Sequence, residues 1–433
     1  MQTVAFHTLG CKVNQYDAQA MLEVFLAAGY KQTAFTQSAD VYVVNTCTVT
    51  GTGDKKSMQA LRRALRRNPA AAVVVAGCLA QRAGEALLLP GVRLVLGTQR
   101  RAEVVTLLHQ ALERDEALVA VDALTSAPFE ALTVTAHEGH TRAVLKIQEG
   151  CNGRCSYCII PSVRGPIRSR PLTDVRAEAE RLGAAGFQEL VITGIHIASY
   201  GAELSDGPTL LDAVRAVHDA PGVRRVRLGS LEPLVVTPAF VAGLQALPNV
   251  CPQFHVALQS GSDAVLARMR RRYTAAQFLR ACDALRAAFP GAAITTDVMT
   301  GFPGESEAEF AQTQAMVAAA GFSRIHVFPY SERAGTPAAA LPGAVPQAVR
   351  EARARTLIAQ GEAQKRAYLR GLIGSVQQVL FEEETDGGAV GCTPQYVQVT
   401  APGGVPGRLA PVRITALVGE GLLGELADEN IDT

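Results

Sequence analysis

Three cysteines, Cys151, Cys155 and Cys158, stand in a C-x3-C-x2-C pattern within KIQEGCNGRCSYCIIPSVRGPIRSRP, residues 146–171. Three thiolates on one short loop can wrap a polynuclear iron–sulfur cluster, which cysteine thiolates hold. A four-iron cluster with only three protein ligands leaves one iron open. That iron suits a chelating amine and carboxylate, as on the methionine end of S-adenosylmethionine. Reduction through the cluster would then break the sulfonium and generate an adenosyl radical, chemistry that belongs to the cofactor rather than to side chains. The competing reading is structural zinc, which normally takes four Cys or His ligands at paired short spacings. No fourth ligand lies close, the nearest candidates being His140 and His196.

A second set is dispersed: Cys11, Cys47 and Cys78. Each falls just past the end of a strand-like run, at 3–10, 40–47 and 71–78. With right-handed crossovers those ends share one edge of a parallel sheet, the edge where open α/β sheets bind ligands. Free cysteine also packs well in cores, but three in equivalent positions point to a second cluster site.

The elements that position these residues follow from periodicity. Strands at 3–10, 40–47, 71–78 and 93–97 alternate with helices at 16–29, 57–68 and 102–114, predicting a three-layer α/β domain with a parallel sheet over residues 1–120. The second helix carries Lys55, Lys56, Arg62, Arg63, Arg66 and Arg67 around the apolar stripe Met58, Leu61 and Leu65. Such a run is commonly a solvated face, yet without an acid among them Arg62, Arg63, Arg66 and Arg67 are candidates for a phosphate backbone. A polar stretch from Asp122 to His140 reads as a linker.

From 137 to 370, strands are expected at 142–149, 189–195, 224–231, 253–259, 292–299 and 324–330, with helices such as 172–186 and 275–288 between. Six βα units make a partial (β/α)6 barrel, short of the eight of a closed one. Its opening suits a large substrate. Gly194, Ser230, Glu232, Gln259 and Asp297 fall in turns at the strand ends, where they offer close approach or hydrogen bonds to a nucleoside or amino acid; singly, each also reads as ordinary turn chemistry. Arg164, Arg168 and Arg170, and Arg268, Arg270, Arg271 and Arg272, follow strand ends on the same face and favour a polyanionic substrate. One long helix is expected at 346–371, and short alternating strands over 372–433 predict a small β-barrel.

Composition bounds the rest. The 433 residues are 48% hydrophobic and 19% charged, as in an ordinary soluble protein, and the net charge of +1 gives no global push toward nucleic acid. No apolar run approaches the ~18 residues of a membrane span, and no signal peptide is apparent in MQTVAFHTLGCK. Nine cysteines under those conditions argue for reduced, metal-binding thiols in the cytoplasm.

The motifs LGCKVNQYD, VVNTCTVT, VAGCLAQ, the triad loop, LQSGSDAVLARMRRRY, TTDVMTGFPGE and HVFPYSERAGTPA together resemble the radical S-adenosylmethionine methylthiotransferases over nearly the full chain. GCKVNQ and NTCTVT are most similar to the branch acting on threonylcarbamoyladenosine 3′ of the tRNA anticodon, position 37. The alternatives are the isopentenyladenosine branch, the branch modifying a ribosomal-protein aspartate, and a zinc-stabilised RNA-binding module. The resemblance implies an N-terminal methylthiotransferase domain, a radical core and a C-terminal TRAM-like RNA-binding barrel. It implies two [4Fe–4S] clusters, the radical one on Cys151, Cys155 and Cys158 and an auxiliary one on Cys11, Cys47 and Cys78. Partners implied are tRNA and an electron donor such as flavodoxin or ferredoxin. One S-adenosylmethionine would methylate a sulfur held at the auxiliary cluster; a second would yield the radical that takes hydrogen from carbon 2 of the adenine. No side chain need act as a conventional acid or base. Gly391-Cys392-Thr393-Pro394 in the barrel departs from the Gly-Tyr-Thr stretch that the resemblance implies.

Overall fold

The computed structural model describes residues 2–125, 127–135, 141–204 and 207–428. His140 and the start of the expected central domain at 137 lie outside them.

Strands β1 (Thr3–Thr8), β2 (Lys31–Thr33), β3 (Val41–Thr46), β4 (Ala72–Gly77), β5 (Val92–Leu96) and β6 (Leu118–Ala120) form one parallel sheet in the order β2-β1-β3-β4-β5-β6. Alternate residues face opposite layers: Val4, Val43 and Val74 pack on one side, Ala5, Val44 and Val75 on the other. Burial on both faces explains the near-continuous valine runs. The edge strands β2 and β6 were not expected, because three residues carry no readable alternation. Helices α1 (Lys12–Ala27), α2 (Gly51–Arg67), α3 (Cys78–Ala83) and α4 (Val104–Glu113) cover the sheet. α2 begins six residues before the expected Ser57. The Thr50 side chain accepts from the Gly53 N–H and Asp54 occupies the first turn, so capping starts the helix ahead of its apolar stripe.

The central unit contains β7 (Arg142–Glu149), β8 (Arg168–Ser169), β9 (Glu189–Gly194), β10 (Arg225–Leu228), β11 (Gln253–His255), β12 (Ala293–Thr300) and β13 (Arg324–Pro329). They form two sheets, β10-β9-β7-β8 and β11-β12-β13, joined by parallel bridges Val226–Val250 and Leu231–Val256. The six expected strands are therefore all present in an open, curved array; β8 is an antiparallel two-residue addition. Helix α5 (Ile160–Arg164) follows the cysteine loop, and a long helix, Gln347–Arg370, closes the unit.

Strands β14 (Val376–Thr385), β15 (Gly388–Cys392), β16 (Gln398–Ala401), β17 (Leu409–Val418) and β18 (Gly421–Leu426) form a closed barrel around Val379, Phe381, Val399, Val412 and Ile414. The unusual Gly391–Pro394 stretch faces the central unit. Arg225 donates to the Cys392 carbonyl at 3.0 Å and Arg227 to the Pro394 carbonyl at 2.8 Å. Among the described residues no helix is long and apolar enough to cross a membrane.

Candidate active site: two cysteine triads and the network between them

The triad loop is fixed from both sides. Ser156, buried between Cys155 and Tyr157, donates its N–H to the Met269 carbonyl at 3.0 Å and its hydroxyl to the Arg268 carbonyl at 2.8 Å. The Cys151 N–H donates to the Gly165 carbonyl at 3.0 Å. Two donors reach the sulfurs: the Gly153 N–H lies 3.2 Å from Cys151 Sγ, and Arg271 Nη1 lies 3.1 Å from Cys155 Sγ. Arg271 also pairs with Glu232 at 2.8 Å, and Glu232 lies 3.4 Å from His196. The three cysteines, Ser230, Glu232 and Arg271 line one cavity of about 370 Å³.

The structure brings Ser230 and Glu232 to the triad and leaves the other strand-end residues outside that cavity. Gly194 packs on Gln148, where a Cβ would stand 2.9 Å from the Gln148 Cβ. Gln259 adopts a φ of +65° and donates its N–H to the Asp297 carbonyl at 2.9 Å. The Asp297 carboxylate lies 3.4 Å from His255.

The dispersed cysteines meet at the ends of β1, β3 and β4. Gly10 has a φ of +102°, and a Cβ there would stand 3.1 Å from Cys47 Sγ, so only glycine lets Cys11 and Cys47 come together. The Cys47 N–H is held by Ser57 Oγ at 3.1 Å. Cys78 begins α3 and packs against Ile159, the residue after Cys158. Cys78 thus sits beside the end of the cysteine loop across the interface. Burial pushes the Cys158 thiol up to about 12 and Cys78 to about 11, so ligation at either must displace a proton. Among the described residues no three Cys, His, Asp or Glu converge on a single-ion geometry. Three thiols on one loop, with N–H donors on Cys151 and Cys155, suit an iron–sulfur cluster, which cysteine thiolates hold.

Arg164 joins the two sites. Fully buried at the end of α5, it places Nε 3.2 Å from Cys78 Sγ and Nη1 2.8 Å from Asp17 and 3.0 Å from Glu149. Lys146 lies 2.7 Å from Asp17, Arg101 3.2 Å from Asp17 and 2.6 Å from Glu130. Burial alone would raise the Glu149 carboxyl, but Arg164, Lys146 and Arg101 outweigh it and hold that group down at about 2. Asn14 fixes the same corner, its side-chain amide donating to the Leu9 and Thr46 carbonyls at 2.7 and 2.9 Å.

This network corrects the reading of Arg164, Arg168 and Arg170 as groups facing a polyanion. All three are buried; Arg170 pairs with Glu178, and Arg168 donates to the Arg164 carbonyl at 2.9 Å. Arg268 pairs with Glu309 at 2.9 Å. Arg270, Arg271 and Arg272 do line the cavity. On α2, Arg62, Arg63 and Arg66 are exposed and Arg67 bonds the Thr36 carbonyl. Sequence reasoning missed Asn14 and Asp17, though a signal existed: they share the face of α1 that buries Met21, where polar residues need partners.

A model described as "Uncharacterized protein family UPF0004" matches residues 3–97, and the radical SAM superfamily model matches residues 145–317. The chain is 41% identical to the threonylcarbamoyladenosine tRNA methylthiotransferase MtaB of Bacillus subtilis, over 96% of this chain and 94% of that protein. The corresponding protein of Thermotoga maritima is 35% identical over 99% and 98%. A tRNA-2-methylthio-N(6)-dimethylallyladenosine synthase of Nocardioides is 36% identical over 96% and 86%. In fold alone, the chain is similar to the radical S-adenosylmethionine methyltransferase TsrM of Kitasatospora setae, with a TM-score of 0.58 at 15% identity, over 78% and 77% of the two chains.

Proposed function

Because the chain belongs to the radical S-adenosylmethionine tRNA methylthiotransferases, we propose that it transfers a methylthio group to carbon 2 of N6-threonylcarbamoyladenosine beside the tRNA anticodon. The observation that carries this reading is the near-full-length 41% identity to a protein named for that reaction. The packing of Cys78 against Ile159, beside the cysteine loop, supports it chemically, since reacting centres must be held close together.

In this reading Cys151, Cys155 and Cys158 hold the [4Fe–4S] cluster that binds S-adenosylmethionine, and Cys11, Cys47 and Cys78 hold a second. When bound, the first would supply one-electron reductive cleavage of S-adenosylmethionine and the second a place for the sulfur to be transferred. The protein's own groups position and insulate. Arg271 orients Cys155 and anchors Glu232. Arg164, Asp17 and Glu149 fix the cluster loop against the first sheet. Ser230 and Glu232 offer hydrogen-bond acceptors inside the triad cavity, while Gly194, Gln259 and Asp297 shape the neighbouring strand ends. The closed barrel serves as a TRAM-like RNA-binding unit, the exposed arginines of α2 contact phosphates, a flavodoxin or ferredoxin supplies electrons, and the work is done in the cytoplasm, where tRNA is.

The test is anaerobic: reconstituted protein, reductant and S-adenosylmethionine are incubated with tRNA bearing either threonylcarbamoyladenosine or isopentenyladenosine. Methylthiolation of the first and not the second is expected. Reaction with the second alone would move the chain to the neighbouring branch.

A further inference from the structure

A second cavity, of about 590 Å³, lies where all three units meet. The first domain contributes Cys11 and Lys12, the central unit Arg142, and the barrel Glu382, Glu383 and Tyr396. Three cations gather on the Tyr396 ring: Lys12 Nζ at 5.7 Å, Arg142 at 4.8 Å and Arg227 at 4.7 Å from its centroid. Tyr396 has a φ of +66°, a conformation costly for an aromatic residue. The surrounding contacts hold it there.

The cations are not equivalent. Arg142 lies 2.8 Å from Glu382, and Arg227 lies 2.7 Å from Glu189 and 2.8 Å from the Pro394 carbonyl. Lys12 has no carboxylate at ion-pairing distance among the described residues, although it is half-buried beside those two guanidinium groups. An ammonium in such company calls for an anion, and this one adjoins Cys11.

We propose that Lys12 recognises the threonyl carboxylate of the substrate nucleoside, making this cavity the pocket that selects threonylcarbamoyladenosine over adenosines with uncharged N6 groups. The inference rests on the proposed function. In adenine, carbon 2 and the N6 substituent flank N1 on one edge. A base whose carbon 2 approaches the Cys11 triad therefore extends its N6 arm alongside the residues next to Cys11. An isopentenyl arm offers no partner for the ammonium, whereas a carboxylate neutralises it. Glu382 is already paired with Arg142, and Glu383 is exposed at the cavity wall, where it repels an anion only through solvent.

The test uses the reconstituted holoenzyme and two anticodon stem-loop RNAs, one with threonylcarbamoyladenosine and one with its threonine carboxylate converted to the carboxamide. Affinity and methylthiolation kcat/KM are measured for wild type, Lys12→Met and Lys12→Arg, with iron content determined in parallel. Wild type is expected to prefer the carboxylate by about ten- to a hundredfold, the range of a hydrogen bond to a charged group. Lys12→Met should shrink that preference to about twofold or less, and Lys12→Arg should keep most of it. Lys12→Gln replaces Lys12→Met if the latter loses iron. Equal handling of both RNAs by wild type, or an undiminished preference in Lys12→Met, overturns the subsite alone. A wild-type enzyme that modifies neither RNA overturns the proposed function and the subsite with it.

Discussion

Replacing Arg164 by Met should loosen the joint between the two triads at a calculable cost. Three cations, Arg101, Lys146 and Arg164, face three carboxylates, Asp17, Glu130 and Glu149, so the variant leaves one buried negative charge in excess. Removing one partner of a buried ion pair costs about 3–5 kcal/mol. Asp17 and Glu149 both keep Lys146 and Arg101, which puts the expectation at the lower end, about 3 kcal/mol. Asp17→Asn added to Arg164→Met removes the excess charge, so the double variant should be less destabilised than the sum by about 1–2 kcal/mol. The chain has no tryptophan, which makes urea unfolding followed by far-UV circular dichroism the suitable assay, with midpoints compared at unchanged slope. A loss below about 1 kcal/mol in Arg164→Met, the level of an exposed pair, or strict additivity in the double variant, would refute the coupled network.

Cys151→Ala, Cys155→Ala and Cys158→Ala should each abolish 5′-deoxyadenosine formation while keeping about half the wild-type iron, whereas replacing Cys11, Cys47 and Cys78 together should spare that cleavage and stop methylthio transfer; a triple variant that still transfers would return those cysteines to the core. Changing Arg62, Arg63, Arg66 and Arg67 to Gln should weaken tRNA binding and flatten its salt dependence by up to roughly 0.9 log–log units per lost phosphate contact, taking duplex DNA as the guide. Because Arg67 is tied to the Thr36 carbonyl, the three exposed arginines should carry most of that change, and an unchanged slope would leave the helix a solvated face.

What was legible in the sequence followed the range over which the signal acts. The triad loop and the strand ends at Cys11, Cys47 and Cys78 were readable because local spacing and strand periodicity place them. The six parallel strands of the central unit were readable for the same reason. Arg164, Arg168 and Arg170 were misread because a run of arginines looks the same whether it faces solvent or buried partners, and nothing in the local pattern shows that Arg164 meets Asp17 across the domain interface or that Arg170 turns onto Glu178. Lys12 and Tyr396 are separated by nearly the whole sequence, and only docking of both the first domain and the barrel on the central unit brings them together. The short strands β2 and β6 were invisible because their sheet neighbours, rather than their own pattern, make them strands.

The central claim concerns the modified base. Mass spectrometry of nucleosides digested from bulk tRNA of cells lacking this protein measures it directly. Loss of 2-methylthio-threonylcarbamoyladenosine with accumulation of threonylcarbamoyladenosine, while isopentenyladenosine products stay unchanged, is the result expected. Loss of methylthio-isopentenyladenosine instead, or an unaltered set of tRNA nucleosides, would contradict it.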